Sequence, residues 1–336
     1  MRPNQQAGVG RALGDGMGAT GQFVADIVVP LLGVDPELED GFRTEPISAP
    51  RGMVLTTDLF TVDPVQFPGG SLGTIAASGT INDLVASGAR PVYATLGLLA
   101  SETVDAQVLY RCLKDLADLF AENGVQVVCG DTKTHQYPEP MLVFSMSGLG
   151  IPVHEEPLSL SMAQHGDDLW ITGPLGGHSI AVLSAREGLG FERGVVSDCI
   201  PLAHAVLPLV ERRWIHAARD LTRGGLVAAA ADGVRATGTA WLFQYEAIRV
   251  PIQVRAASEM LGLDPLALTN EGSMLVAAPP AHRAAIGDHL AQFPETAQAQ
   301  VVGSVTAEPS HTAWLERDGT VLAMPLADGL GIPRLC

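Results

Sequence analysis

The chain has 336 residues, enough for about two domains, and a hydrophobic fraction of 47% with only 5% aromatics calls for cores of Ala, Val, Leu and Ile. A formal net charge of −17 repels phosphate backbones and argues against a nucleic-acid partner, while a single nucleotide stays possible if a cation joins its phosphates to carboxylates. No apolar run reaches the roughly 20 residues that span a bilayer, and the glycine-broken start has no signal-peptide core, so no membrane association and a cytoplasmic location are expected.

In chain order, residues 1–44 are rich in Gly and Pro, with one helix expected over about Gln22 to Leu32. Met53 to Thr57 reads as a short buried strand ending at Asp58. Gly73 to Ser87 has Ile75, Ile81, Leu84 and Val85 at roughly helical spacing, and Pro91 to Leu99 reads as a strand. Asp105 to Asn123 is the clearest helix: Val108, Leu109, Cys112, Leu113, Leu116, Leu119 and Phe120 share one face, and Gly124 stops it. Strands at Val125 to Cys129 and Met141 to Leu149 close a first mixed α/β unit over 45–152.

Composition shifts at Ile151 to Pro157 and opens a second mixed α/β unit over 153–326. It contains a strand at Asp168 to Thr172, a Gly-rich loop from Gly173 to His178, a helix at Ile180 to Arg186 and an Ala-rich helix at Gly225 to Val234. Strands follow at Ser273 to Ala278 and Gln300 to Val305, then a hairpin at Trp314 to Met324 turning on Asp318-Gly319. Residues 327–336 have two glycines, a proline and no periodicity, and read as a flexible arm.

Three aspartates sit at expected element boundaries: Asp58, Asp83 and Asp131. Each alone could cap a turn or helix. Together, at one sheet edge, their mutual repulsion would be relieved by Mg²⁺, which in turn bridges nucleotide phosphates. Lys133, close to Asp131, could neutralise a transferring phosphoryl group or simply be solvated. Asp220-Leu221-Thr222-Arg223-Gly224-Gly225 precedes the Ala-rich helix, where Arg223 and backbone N–H groups suit an anion, or Thr222 caps the helix. Glu271 in Asn270-Glu271-Gly272 is either a base or a turn residue. Gly16 to Gly21 satisfies G-x-G-x-x-G, but no strand precedes it, so the dinucleotide reading fails. Of the four cysteines, Cys112 and Cys129 read as core. Cys336, the last residue, is a thiol on a mobile arm or an accident of the terminus.

Several motifs carry a resemblance. They are Thr56-Thr57-Asp58, Phe67-Pro68-Gly69-Gly70, Gly79-Thr80-Ile81-Asn82-Asp83-Leu84, Gly130-Asp131-Thr132-Lys133, Val196-Ser197-Asp198-Cys199, Thr222-Arg223-Gly224-Gly225, Asn270-Glu271-Gly272 and the closing Pro333-Arg334-Leu335-Cys336. With them the chain resembles, over nearly its whole length, the HypE family of hydrogenase maturation proteins. That family lies in the superfamily of aminoimidazole ribonucleotide synthetase, selenophosphate synthetase and thiamine-phosphate kinase.

The resemblance implies a two-domain aminoimidazole-ribonucleotide-synthetase-like α+β fold, with N-terminal sheets pairing into a barrel across a homodimer and a tail that carries the modified cysteine. It implies ATP and Mg²⁺ as cofactors, with Asp58, Asp83 and Asp131 on the metal. Asn82, Gly130, Thr132, Asp220, Thr222 and Arg223 would bind the nucleotide, and Cys336, Lys133 and Glu271 would be catalytic. The implied reaction dehydrates a carbamoyl group on Cys336 to a thiocyanate, with a HypF-like carbamoyltransferase before it and a HypC–HypD scaffold after it. Two departures stand out: Asp15-Gly16-Met17-Gly18-Ala19 replaces the family's usual His-Gly-Ser-Gly-Gly, and Ser273 stands where Lys is usual. A small-molecule kinase or synthetase of the same superfamily, or a non-catalytic carrier, are the alternatives.

Overall fold

The computed structural model describes residues 24–33, 42, 44, 51–136, 138–191 and 194–325. The glycine loop at Asp15 to Ala19 and the tail with Cys336 lie outside these residues. A short π-helical turn, Val24–Val28, leads into α1 (Val29–Leu32), where a single longer helix is expected from the sequence.

The first unit is a four-stranded sheet ordered β1 (Val54–Phe60), β6 (Leu142–Pro152), β4 (Ala89–Ser101), β5 (Gln126–His135). A two-stranded ribbon, β2 (Gln66–Phe67) and β3 (Gly70–Ser71), stands before α2 (Leu72–Ala86). Ser71 caps α2 through a capping box with Thr74, and Asp105 caps α3 (Ala106–Glu122) by accepting from Gln107 N and Val108 N. Both helices cover one face of the sheet. Leu109, Cys112, Leu113, Leu116 and Phe120 of α3 pack with Ile75, Ala76 and Ile81 of α2 and with Leu96, Leu98, Phe144 and Met146 beneath.

Two strands run past their expected ends. β1 continues through Asp58 to Phe60 because Asp58 pairs with Met146, and β5 continues through Asp131 to His135 because Asp131 pairs with Gly97. Cross-strand partners, invisible in local sequence, decide where these strands stop. Along β1 exposure alternates: Leu55, Thr57 and Leu59 face outward, while Thr56 and Asp58 turn to the other side. The outer face is apolar, with Leu55 72% and Leu59 71% exposed.

The second unit is a seven-stranded sheet. Its order is β13 (Thr320–Ala323), β12 (Trp314–Arg317), β9 (Thr239–Gln244), β11 (Gln300–Pro309), β7 (Asp168–Ile171), β10 (Met274–Ala278), β8 (Ala217–Asp220). All its pairs are antiparallel except β12 with β9. The β12–β13 hairpin turns on Asp318 and Gly319, both at positive φ as a two-residue primed turn requires.

The sheet is covered on both faces. Helices α5 (Ala203–Glu211) and α8 (Arg283–Leu290) share a core with Trp170, Met274 and Val276, and this core is continuous with that of the first unit. On the other face α6 (Gly225–Thr237) packs on Leu169, Ile171, Leu275, Trp241 and Phe243. Helices α4 (Gly177–Glu187) and α7 (Ile252–Leu261) meet at Ile180, Ala181, Val254 and Ala257. No helix among the described residues is long and apolar enough to cross a membrane.

Candidate active site

A cavity of about 230 Å³ opens where the two units meet. Asp58 and Phe60 reach it from β1, Gly79 and Asp83 from α2, Asp220, Thr222 and Arg223 from the end of β8, and Thr269 and Glu271 from the loop before β10. The alternation that turns Leu55 and Leu59 outward is what brings Asp58 toward α2, within hydrogen-bonding reach of Asp83.

This wall gathers the carboxylates of Asp58, Asp83, Asp220 and Glu271. Burial first, then the charges of Asp220 and Asp58, lift the Asp83 carboxyl from 3.8 to about 7, although Thr56 Oγ1 donates to Asp83 Oδ2 at 2.7 Å. Glu271 is buried, and burial followed by the charges of Asp198, Asp220, Asp83 and Asp58 holds its carboxyl well above the usual range.

Glu271 is also held in place. Asp198 accepts the backbone N–H groups of Glu271 and Gly272, each at 3.1 Å, and Ser273 Oγ donates to the same carboxylate at 3.4 Å. Only glycine fits at 272, since a Cβ there would lie 1.8 Å from the Asp198 carbonyl oxygen. Ser273, where a lysine is usual in the family that the sequence resembles, is thus part of the clasp on Asp198.

The segment before α6 differs from its simplest reading. Thr222 does not cap the helix: its hydroxyl donates to Asp220 Oδ2 at 2.7 Å. The cap is Gly224 at φ 73°, followed by Gly225 at φ 53°, whose missing Cβ would meet Leu268 O at 2.5 Å. The Gly225 N–H donates to Thr222 O at 2.9 Å, no side chain caps the N–H groups that follow it in α6, and Gly225, Ala228 and Ala229 line the cavity with Arg223.

The sequence-derived residues divide into three groups. Asp58, Asp83, Asp220, Thr222, Arg223 and Glu271 converge on the cavity. Asp131 and Lys133 do not. They project from the edge strand β5, 69% and 72% exposed, and pair with each other at 3.0 Å, so a single chain does not assemble the expected trio of aspartates. Gly130 and Thr132 go with them on β5, away from the cavity wall. Asn82 also departs from expectation. It is buried, and its amide is used within the protein: Nδ2 donates to Ile200 O and Glu271 O, and Oδ1 accepts from Leu202 N. It braces the cavity rather than lining it. Cys336 lies outside the described residues.

His178 escaped the sequence reading. It follows Gly176-Gly177 at the start of α4, buried on the cavity wall, and the signal for it was a histidine placed directly after a strand–glycine-loop–helix junction.

Comparison with known proteins places this geometry. Residues 44–151 match the N-terminal domain, and residues 164–316 the C-terminal domain, of the AIR synthase related proteins. The hydrogenase expression/formation protein HupE of Azotobacter chroococcum is 33% identical over 327 residues, which is 96% of each chain. The carbamoyl dehydratase HypE of Rhodobacter capsulatus is 34% identical over 90% of each chain.

The chain belongs to the HypE family. A crystal structure of HypE in complex with ATP superposes with a TM-score of 0.88 at 31% identity, covering 96% of this chain and 98% of the other. HypE in a HypE–HypF complex superposes with a TM-score of 0.76 at 31% identity, covering 82% of this chain and 90% of that one. The thiamine monophosphate kinase of Aquifex aeolicus, 18% identical with a TM-score of 0.60 over 83% of this chain and 91% of its own, shares the fold alone. The HypE fold is thus a mixed α/β one with two units, as expected from the sequence.

Proposed function

We propose that this chain is an ATP-dependent carbamoyl dehydratase of [NiFe]-hydrogenase maturation, acting on an S-carbamoyl group carried by its own Cys336. The observation that carries the reading is the cavity of a HypE-family chain in which a high-pKa carboxylate, Glu271, faces a carboxylate pair and an anion-suited helix start.

An amide oxygen leaves poorly, and phosphorylation makes it leave well. The carboxamide oxygen attacks the γ-phosphorus of ATP and ADP departs. One N–H proton is lost to water as the iso-urea phosphate forms; a base then takes the second, the C–O bond breaks toward phosphate, and S–C≡N remains. Glu271 is suited to be that base, because burial and neighbouring carboxylates hold its pKa well above the usual range and a more basic carboxylate accepts a proton more readily. Arg223 and the uncapped start of α6 suit the phosphates.

The donor set also suits Mg²⁺. Asp58 and Asp83 are hard oxygen ligands, and burial, then the charges of Asp220 and Asp58, lift the Asp83 carboxyl to about 7. When bound, Mg²⁺ would draw charge from the phosphates.

Asp131 and Lys133 have their place in a homodimer. The outer face of the four-stranded sheet, with Leu55 and Leu59 exposed, pairs with its counterpart into a barrel, and β5 carries Asp131 and Lys133 to the neighbouring subunit's cavity. Residues 45–152 form the ATP-binding and dimerisation domain, 153–326 the second domain, and 327–336 the tail that brings Cys336 to the cavity. A HypF-like carbamoyltransferase loads Cys336 and a HypC–HypD complex takes the cyano group, all in the cytoplasm.

Intact mass tests the reading. Protein carbamoylated at Cys336 should lose the mass of one water when given ATP and Mg²⁺, and Cys336→Ala should take up no carbamoyl group. ATP turnover with no loss of water would point to a small-molecule kinase, and no turnover at all to a carrier.

A further inference from the structure

His178 lies on the cavity wall and has no part in the reaction described above. Its ring is buried, its Nδ1 is 2.9 Å from Ser197 Oγ, and the Phe67 ring meets it edge to face at 5.4 Å. Ser197 is fixed in turn, since its N–H donates to Pro68 O at 2.9 Å and its Oγ accepts the N–H of Cys199 at 3.1 Å.

These contacts decide where the imidazole proton sits. A serine hydroxyl has one proton to give. Among the described residues the acceptor in reach of Ser197 Oγ, besides the groups that donate to it, is His178 Nδ1. If Nδ1 accepts, the proton of the neutral ring is on Nε2. Nε2 makes no hydrogen bond to a described residue. Among those residues the buried side-chain polar atoms left without a partner are Trp170 Nε1 and Ser258 Oγ, and His178 Nε2 is not one of them. The open space that the ring lines is the cavity. Burial pushes the pKa of the ring down to about 3, so it stays neutral at working pH.

The charged groups of the other walls are the carboxylates Asp58, Asp83, Asp220, Asp232 and Glu271 and the cations Arg219 and Arg223. The carboxylates suit a cation and a departing proton and oppose negative charge growing on oxygen, while the arginines suit phosphate. A neutral N–H donor on the same cavity as Thr269 and Glu271 adds to the arginines a group that can face the carbamoyl oxygen.

We propose that His178, as its neutral Nε2–H tautomer, donates a hydrogen bond to the carbamoyl-derived oxygen while the C–O bond breaks. The inference rests on the dehydratase reading of the cavity. The proton count closes without His178 changing state: of the two carbamoyl N–H protons, one is released to water when the oxygen is phosphorylated and the other goes to Glu271, the C–O electron pair leaves with phosphate, and Nε2 keeps its hydrogen.

Ring-¹⁵N-labelled full-length protein tests the tautomer directly. The expected spectrum has Nε2 protonated and Nδ1 bare, unchanged between about pH 5 and 8. A proton on Nδ1, or titration within that window, overturns the inference. In the mass assay, His178→Phe keeps a ring and loses the donor. Dehydration should slow by about 10²–10³-fold while ATP affinity stays within about threefold. His178→Gln, which restores an N–H, should return to within about tenfold of wild type. Full activity in His178→Phe overturns this role alone, whereas a wild-type chain that never loses water overturns the dehydratase reading and this role with it.

Discussion

The carboxylate of Asp198 accepts the backbone N–H of Glu271 at 3.1 Å, and its negative charge also raises the Glu271 side-chain carboxyl. One residue therefore positions its neighbour and adds to the rise that burial gives its carboxyl. Glu271 works as a base only when ionised, so its raised pKa puts an acid limb on the rate profile, with rate rising as pH rises. Asp198→Asn removes one negative neighbour, which lowers the Glu271 pKa and moves that limb to lower pH. It also turns an NH₂ toward Glu271 N–H or Gly272 N–H, so the plateau rate should fall by about tenfold or more. Rate against pH, compared with wild type, checks both effects.

Asp83 predicts a pH-dependent stability. Its folded pKa of about 7 lies above the ordinary 3.8, so between these values the folded chain holds a proton that the unfolded chain has released. Stability from this source is complete below 3.8 and is lost as pH rises through about 7. In Asp83→Asn that part of the slope should vanish, leaving the variant more stable than wild type above neutrality and weaker in binding Mg²⁺ and ATP. Thermal midpoints across this range, with and without Mg²⁺, measure the difference.

The exposed pair of Asp131 and Lys133 predicts complementation. If β5 serves the neighbouring cavity, Lys133→Ala and Glu271→Gln chains, each inactive alone, should recover about a quarter of wild-type activity when refolded together in equal amounts, since half the dimers are mixed and each has one intact site. No recovery would mean that Lys133 acts within its own chain or not at all.

Arg223 is an exposed residue of the cavity lining, just before a helix start that has no side-chain cap. Arg223→Gln should leave the thermal midpoint almost unchanged and weaken ATP binding roughly tenfold, the worth of one charge-assisted hydrogen bond. Calorimetric titration with ATP would expose a purely structural role as an unchanged affinity.

What the sequence made legible follows from how local each signal is. The α3 helix could be read because its apolar face repeats every three to four residues and Asp105 and Asn123 bracket it. The β12–β13 turn could be read because Asp318-Gly319 is itself the turn. The ends of β1 and β5 could not, since pairing with Met146 and Gly97 comes from distant sequence. Helices α5 and α7 were missed for a related reason. Pro208 interrupts the pattern of α5, and α7 leaves Ile252 and Met260 in solvent, so neither shows a clean stripe. In the site, Asp58, Asp83, Asp220, Arg223 and Glu271 stood beside recognisable motifs. Asp198 and His178 act through contacts to Glu271, Gly272 and Ser197, which only the folded chain brings together.

Asn82 has a consequence for anyone who recombines this protein with its relatives. Its one amide joins α2 of the first unit to the backbone at Ile200, Leu202 and Glu271 of the second. The halves are therefore not interchangeable parts. A chimaera cut between residues 152 and 164 would inherit a seam whose fit depends on residues 198–202 and 270–272 meeting a helix from another parent, and these two short stretches would have to travel with the N-terminal half.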